Sequence, residues 1–459
     1  MNPQPDPLES LPSQAEVAIV GAGLAGLTAA AHLARAGHDV HIFEPCAAPG
    51  GRVRTEVVDG HLLDLGFQVL LTGYPAVQEE LDLDALKLCG FEPGAVVVRD
   101  GRHYSLPDPF RTPGRFLEAL RFPLATPVDK WKTMQLRNQV RGTDVEAPFQ
   151  LPERMAAAWL RDQGFSERFL ATFWIPFFSA VFLDPPLEVT TRLFSFVFRS
   201  IALGDIALPA EGMGAIPRQL AARLPEGSLH YGWKADSLLY KQERVHGLRL
   251  RLASTGAGNG QGAGDGQGAG PSGGGEGTPA TREIHADRVI LACGPEEARR
   301  LTDLPIPNLE PLGVSIVYFC VEEPVTRERR IFLNGGGSSP AHHAVFLSNI
   351  CPSYAPPGSQ LISITVLGVP AAGGSTLAER VRRQMAIWFP RGRTETWRWL
   401  ATYQIPFAQF RQPPGLLARL PEARTSIGGL FLAGDYTRHC SVQGAIESGQ
   451  RAAREVMGG

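Results

Sequence analysis

Glycines near the start of the chain, Gly21, Gly23 and Gly26, follow the spacing G-x-G-x-x-G. Glycine suits these positions because the chain must turn sharply, bring its backbone close to a pyrophosphate and pack a helix tightly on a strand. Leu24 and Ala25 fall in the first turn of that helix, whose positive N terminus would face the phosphates. The spacing therefore predicts a dinucleotide-binding site.

The residues around these glycines must supply a strand, a helix and a second strand. The run VAIV ends at Val20, small and apolar residues then recur at helical spacing, and Gly37 stands where a left-handed helix cap belongs. A second strand ends at Glu44, whose carboxylate is placed to accept hydrogen bonds from a ribose diol. This parallel βαβ unit supports the dinucleotide site but does not distinguish NAD from FAD.

Segments farther along the chain favour FAD. Gly51 permits a close backbone approach, and Arg52 offers a guanidinium fork to phosphate or ribose oxygens. Near the C terminus a strand ends at Gly434, the carboxylate of Asp435 follows, and a new helix begins near Val442. That carboxylate can bind ribityl hydroxyls, and the helix N terminus can face the isoalloxazine ring. An extended flavin dinucleotide needs such a second contact.

Composition excludes several other classes of protein. The 459 residues are 44% hydrophobic and 20% charged, and a mean hydropathy of -0.06 argues against a polytopic membrane protein. The net charge of -2 leaves no cationic surplus for nucleic acid. The six cysteines form no C-x-x-C pair and read as reduced thiols. With no signal in the first sixteen residues, a cytoplasmic protein is expected. No metal site is predicted.

The segments GAGLAG, PGGRVRT and FLAGDYT, in this order and followed by GAIESG, resemble those of the flavin-containing amine oxidase and phytoene desaturase superfamily. The resemblance implies an α/β fold, with a Rossmann-type FAD-binding domain assembled from separated stretches and a discontinuous α+β substrate domain. It also implies that backbone groups near Gly66, Ala235 and Val442 contact FAD.

The predicted domains follow from this resemblance and from the local composition of the chain. Residues 1–15 are expected to be a disordered leader, and the glycine-rich residues 256–280 a flexible hairpin tip. The FAD-binding domain is expected to comprise residues 16–95, 205–300 and 420–459, and the substrate domain residues 96–204 and 301–419.

Departures from the amine oxidase pattern argue against amine oxidation. Members that oxidise amines usually place a lysine in the second half of the substrate domain, but Lys241 is the last lysine here. Amine oxidases of the superfamily tend to carry an aromatic residue three positions before the Gly-Ala of the last helix. Here the residue three positions before Gly444 is Ser441. Monoamine-type members attach FAD through a cysteine upstream of the last strand. Because no cysteine lies between Pro352 and His439 here, non-covalent FAD is expected. The run AGDYT, with a serine before the final Gly-Ala, resembles the plant and cyanobacterial type of carotenoid desaturase.

A helical insertion carries an aromatic stripe. Its members recur at helical spacing and comprise Phe165, Phe169, Phe173, Trp174, Phe177, Phe178 and Phe182. Such a stripe is more often core than ligand wall, although together these rings could line an apolar tunnel.

The sequence thus predicts an FAD-dependent dehydrogenase or desaturase that transfers a hydride from an apolar, isoprenoid substrate to flavin, with oxygen or a quinone as the electron acceptor. The alternatives are a flavin amine oxidase that produces hydrogen peroxide and a non-enzymatic prenyl-binding protein on the same fold. No catalytic side chain is predicted, because the cofactor carries the redox step. Peripheral contact of the helical insertion with a membrane stays open.

Overall fold

The structure is a computed structural model that describes residues 11–66, 69–253, 280–336 and 340–458. The predicted leader therefore lies mostly outside the described residues, and the predicted glycine-rich hairpin tip almost wholly so. The strands are β1 (Gln14–Val20), β2 (Val40–Glu44), β3 (Thr55–Val58), β4 (His61–Asp64), β5 (Leu70–Leu71), β6 (Cys89–Gly90), β7 (Gly94–Arg99), β8 (Arg102–Pro107), β9 (Ile206–Leu208), β10 (Leu229–Tyr231), β11 (Trp233–Lys241), β12 (Arg244–Leu252), β13 (Thr281–Leu291), β14 (Pro311–Val321), β15 (Ile331–Asn334), β16 (His343–Phe346), β17 (Gln360–Leu367), β18 (Arg398–Phe410) and β19 (Leu430–Leu432).

The helices lie between these strands and concentrate in the segment from residue 113 to residue 203. They are α1 (Leu24–Arg35), α2 (Pro75–Glu80), α3 (Phe116–Arg121), α4 (Pro127–Arg141), α5 (Ala156–Asp162), α6 (Glu167–Phe169), α7 (Ile175–Phe182), α8 (Thr191–Leu203), α9 (Ala215–Ala221), α10 (Pro295–Leu301), α11 (Leu347–Ile350), α12 (Gly374–Trp388) and α13 (Val442–Met457). Within the described ranges, none of them has the length and apolar character needed to cross a bilayer.

The first sheet contains the predicted βαβ unit. Its strand order is β10-β2-β1-β13-β12-β11, and β19 pairs with β13. The pairs β10/β2, β2/β1, β1/β13 and β13/β19 are parallel, so the carboxyl ends of β1, β2 and β19 meet at one edge. This edge is where ligands bind in open parallel sheets. The predicted α/β fold with a Rossmann-type unit is confirmed.

Backbone geometry explains why α1 ends where it does. Strand β1 starts at Gln14, two residues before the predicted start, and its last four residues are buried. Gly37 adopts a φ of 91°, and the amide of His38 donates to the Leu33 carbonyl at 3.1 Å. The positive φ at this cap is the reason that glycine follows the helix.

The second sheet has the order β18-β14-β17-β16-β15-β7-β8 and is antiparallel except for the pair β15/β7. One face packs against the helical insertion through Ile316 and Leu361, and the other buries Trp397 beneath α12. Trp397, which immediately precedes β18, is thus a core residue.

The helical insertion is fixed by buried polar groups. Ser166 caps α6 by accepting a hydrogen bond from the amide of Phe169. Asp129 is fully buried, accepts hydrogen bonds from the Ser166 amide and hydroxyl at 2.7 Å, and completes a capping box with Thr126 at the start of α4. Between α6 and α7, residues Leu170–Trp174 form a π-helical turn. Thus α4 and α6 are held in a defined relative position.

The expectation of six reduced cysteines is wrong for two of them. Cys89 on β6 and Cys351 after α11 form a disulfide, with their Cα atoms 5.3 Å apart although 262 residues separate them in sequence. Long-range folding creates this pair, so no local spacing could reveal it. Cys46, Cys293, Cys320 and Cys440 form no disulfide within the described ranges.

Candidate cofactor and substrate cavity

A cavity of about 1350 Å³ extends from the edge of the first sheet, past the second sheet, into the helical insertion. Single-ligand pockets usually measure about 300–1,000 Å³, so this cavity has room for a cofactor together with a second ligand. All but one of the predicted site residues line it, namely Gly21, Gly23, Leu24, Ala25, Glu44, Gly51, Arg52, Gly66, Ala235, Gly434, Asp435 and Val442. The exception is Gly26.

The glycine turn has the geometry that the spacing predicts. Gly21 has a φ of 105°, and a Cβ there would lie 2.9 Å from the Ala292 carbonyl oxygen. A Cβ on Gly26 would lie 2.1 Å from the Gly21 carbonyl oxygen, so this glycine serves helix-to-strand packing and does not face the cavity. A Cβ on Gly23 would meet no atom within 4 Å, whereas one on Gly51 would lie 3.4 Å from the Gly23 Cα. Gly23 and Gly51 therefore form an open backbone cradle.

Glu44 is buried at the end of β2, with 5% exposure. Its Oε2 accepts a hydrogen bond from the Ala22 amide at 2.8 Å, and its Oε1 accepts one from the Cys46 amide at 3.0 Å. The carboxylate thus fixes the glycine turn to the second strand. Each carboxylate oxygen keeps further acceptor capacity toward the cavity, where a ribose diol would lie.

Arg52 and Asp435 meet although they stand near opposite ends of the chain. Arg52 Nη2 lies 2.7 Å from Asp435 Oδ2, and Arg52 Nη1 donates to the Ala408 carbonyl at 3.1 Å. The Cys440 thiol also donates to Asp435 Oδ2, at 2.9 Å. Burial and the Asp435 carboxylate raise the pKa of Cys440, so that thiol stays protonated. The arrangement connects the glycine cradle to the C-terminal motif.

The C-terminal strand and helix approach the cavity through special backbone geometry. Gly434 has a φ of 142°, and its amide donates to the Ser448 hydroxyl at 2.9 Å. Ser441 caps α13 by accepting a hydrogen bond from the Gly444 amide at 2.9 Å. Val442 is the first residue of the helix and lines the cavity. The first amides of a helix lack intrahelical partners, so this end favours a partly negative ligand group.

The residues implied only by resemblance also reach the cavity. Ala235 lies on β11 with 2% exposure, and its carbonyl accepts a hydrogen bond from Arg300 Nη2 at 2.6 Å. Gly66 follows β4 with a φ of 102°. Both residues line the cavity, and their contact with FAD stays a prediction.

Most of the aromatic stripe forms one wall of the cavity. The lining members are Phe169, Phe173, Trp174, Phe177, Phe178 and Phe182, whereas Phe165 is buried without reaching the wall. Ring centroids are 5.3 Å apart for Phe169 and Phe173 and 5.5 Å apart for Phe173 and Phe177. These rings, called the aromatic wall below, are therefore core on one side and cavity lining on the other.

Sequence reasoning missed the apolar residues that face this wall. Val197, Phe198 and Ile201 line the cavity from α8, and Val314 and Ile405 line it from the second sheet. The apolar spacing of TRLFSFVFRSIAL indicates an amphipathic helix, which could have revealed the α8 contribution. Val314 comes from β14, which is buried on both faces over most of its length, so the alternation of apolar and polar residues does not reveal which face lines the cavity.

Polar side chains interrupt the apolar lining, and Thr365 and His439 are two of them. The Thr365 hydroxyl is buried on β17 and has no hydrogen-bond partner among the described residues. His439 is also buried, and its Nδ1 lies 3.0 Å from the Ser441 hydroxyl. Burial lowers the pKa of His439 to about 4, so the ring is neutral. Searching the described part of the chain reveals no cluster of three His, Cys, Asp or Glu side chains suited to a metal.

Comparisons with known proteins agree with this geometry. The sequence model of the flavin-containing amine oxidoreductases matches residues 24–457. The probable zeta-carotene desaturase of Synechococcus elongatus is 26% identical in a match that covers 96% of this chain and 98% of that protein. An oxidoreductase from Methanosarcina mazei has a similar structure, with a TM-score of 0.69, 17% identity and coverage of 96% and 100%. A putrescine oxidase gives a TM-score of 0.67 with 18% identity and coverage of 97% and 99%.

Proposed function

Because the chain belongs to the flavin-containing amine oxidoreductase family, we propose that it removes hydrogen from an apolar isoprenoid and so introduces a carbon–carbon double bond. Family membership makes it an FAD-dependent oxidoreductase rather than a non-enzymatic prenyl-binding protein. The observation that carries the substrate proposal is the aromatic wall, which continues without a break from the groove at the glycine turn.

The residues of the groove suit FAD at both ends. The cradle of Gly23 and Gly51 leaves open space beside the N terminus of α1, as a pyrophosphate requires. Glu44 is placed to hold the adenosine ribose, and Asp435, kept in position by Arg52, is placed to hold the ribityl chain. Held in this way without a covalent bond, FAD would lie with its redox ring toward the aromatic wall.

FAD, when bound, would supply the two-electron oxidation by taking up the hydride that one substrate carbon loses together with the proton that its neighbour loses. The chain itself binds and orients the substrate. Phe173 and Phe177 offer flat apolar surfaces, and Val197 and Ile201 add aliphatic lining from α8. This lining excludes water, and it holds an extended hydrocarbon by dispersion and the hydrophobic effect rather than by charge.

The similarity to a probable zeta-carotene desaturase supports an isoprenoid substrate. The charged groups of the groove also disfavour an amine as substrate. Asp435 is already paired with Arg52, and Glu44 accepts two backbone hydrogen bonds. Ser441 occupies the position of the aromatic residue that amine oxidases of the superfamily tend to carry.

Anaerobic bleaching of the flavin absorbance tests the proposal. The purified holoprotein would be mixed in detergent with phytoene, with zeta-carotene and, separately, with putrescine. We expect the polyenes to bleach the flavin and the amine to leave it oxidised. Bleaching by putrescine, followed by release of hydrogen peroxide in air, would replace the proposal with amine oxidation. Reoxidation of the reduced enzyme by oxygen or by a quinone would then identify the electron acceptor.

A further inference from the structure

The largest group of exposed apolar side chains surrounds the far end of the cavity. Thirteen large apolar residues are exposed in the described part of the chain, and six of them fall between residues 110 and 131. We call them the mouth surface; they are Phe110, Phe116, Leu117, Leu120, Val128 and Trp131. Contiguous apolar groups on a protein surface usually mark an interaction site.

Cations surround this apolar surface. Residues 110–141 contain seven Lys and Arg and two acidic residues, in a chain whose net charge is -2. Arg111 and Arg115 are paired with carboxylates. The other five have no carboxylate within ion-pair distance in the described ranges, and they are Arg121, Lys130, Lys132, Arg137 and Arg141. One of the two acids, Asp129, is buried. The mouth surface is therefore apolar and positively charged.

The mouth surface is built on a fixed support. The start of α4 is tied to α6 by the bonds from Ser166 to Asp129. The Lys130 ammonium donates to the Leu120 carbonyl, which connects α4 to the end of α3. The Arg137 guanidinium lies over the Phe110 ring, 4.4 Å from its centroid. These contacts hold the apolar side chains outward on ordered helices.

The mouth surface is also continuous with the cavity. Phe110, Phe116, Leu120 and Trp131 are exposed and at the same time line it. The mouth surface and the aromatic wall thus line one cavity, which offers an apolar molecule a path from one to the other.

We propose that the mouth surface inserts into the headgroup region of an anionic lipid bilayer and that the substrate enters from the lipid. The entry route rests on the proposed function, whereas the docking of the surface does not. Apolar side chains surrounded by Lys and Arg are suited to this interface, because the apolar groups are buried among the acyl chains and the cations bind acidic headgroups. A second copy of the chain is disfavoured as the occupant because its own ring of cations would face this one.

Co-flotation of the holoprotein with lipid vesicles tests the proposal. We expect flotation with vesicles of phosphatidylcholine mixed with phosphatidylglycerol, and much weaker flotation with phosphatidylcholine alone or at high salt. The double variant L117E/V128E should lose binding at least about tenfold. Leu117 and Val128 are exposed but do not line the cavity, so their change leaves the cavity wall intact.

The matched control is V57E/M457E, which places the same charges at exposed residues of β3 and the end of α13, outside the mouth surface, and should float like the parent. Failure of the FAD-loaded parent to float, or equal flotation of parent and L117E/V128E, would overturn the proposal. A parent dimer that the double variant abolishes would also overturn it, because a second copy of the chain would then occupy the mouth surface. Turnover in detergent is measured separately. In detergent, a polyene should bleach the flavin of the parent and of L117E/V128E equally. If neither protein turns over a polyene, the result contradicts the proposed substrate but not the docking of the mouth surface.

Discussion

The Arg52 guanidinium and the Asp435 carboxylate form an ion pair of 2.7 Å that joins the two ends of the chain beside the glycine cradle. Asp435 is 4% exposed and Arg52 is 41% exposed, so the carboxylate is held in a nearly closed environment by a partner that reaches it from the solvent side. The ion pair thus positions the Asp435 carboxylate through a side chain from a motif that is remote in the sequence.

Replacing that carboxylate should weaken FAD binding. In D435N the ion pair with Arg52 and the strong acceptor for ribityl hydroxyls are both lost, and hydrogen bonds to a charged group contribute about 1.5–3 kcal/mol each. We expect the dissociation constant of FAD to rise at least tenfold (about 1.4 kcal/mol), measured by flavin fluorescence on deflavinated protein. R438Q, which removes a neighbouring cation that does not line the cavity, should bind FAD normally.

Glu44 should contribute to FAD binding in two ways. E44A removes the ribose acceptor and also frees the Ala22 and Cys46 amides, whereas E44Q keeps one carbonyl acceptor. We therefore expect FAD affinity to fall in the order parent, E44Q, E44A, as read by flavin titration. E16Q, at the start of β1, is the control. An E44A protein that retains FAD as tightly as the parent would show that this carboxylate does not bind the ribose.

A bulky residue on α8 should block the cavity without affecting the cofactor. Ile201 lines the cavity from α8, so I201W should lower polyene-dependent flavin bleaching at least about tenfold while the flavin content stays the same. L203W adds the same ring to the same helix at an exposed position and should behave like the parent. Normal turnover by I201W would place the substrate elsewhere.

The Thr365 hydroxyl distinguishes a hydrocarbon substrate from an oxygenated one. Because this hydroxyl is buried without a partner, T365V should raise the free energy of unfolding by about 1 kcal/mol. T402V should lower it by a similar amount, since Thr402 donates to Gly374 and accepts from Trp399. With a hydrocarbon substrate, T365V should turn over normally. A specific loss of turnover in T365V would indicate a substrate oxygen bound at this hydroxyl.

Acid should destabilise the protein partly through His439. Burial holds its folded-state pKa at about 4, below the ordinary value of 6.5, so the unfolded chain takes up the proton first. The free energy of unfolding should fall as pH decreases from about 6.5 to about 4, at up to about 1.4 kcal/mol per pH unit for this group. Urea unfolding of H439Q across this range should show a shallower dependence. An unchanged slope would mean that His439 is protonated in the folded protein.

The parts of the fold that depend on local geometry could be predicted from the sequence. The turn at Gly21, the packing role of Gly26 and the place of Glu44 follow from one short motif whose backbone needs are strict. Asp435 could be assigned to the same site because a long cofactor requires a second contact. The substrate end was harder, because an aromatic stripe such as that from Phe169 to Phe182 looks the same whether it faces core or cavity.

Features that arise from tertiary contact could not be predicted. Ile201 and Thr365 face the cavity only because α8 and β17 pack on either side of it, and the sequence does not encode that pairing locally. The π-helical turn at Leu170–Trp174 likewise falls within a run of helical spacing that predicts an ordinary helix.

The bond between Cys89 and Cys351 has a consequence for the chain as a polymer. It closes a covalent ring that contains every residue between these two positions, including the glycine-rich stretch from 254 to 279. A protease that cuts once anywhere inside the ring cannot release a fragment. The nicked molecule would migrate as one species on a denaturing gel until a reductant separates its two pieces.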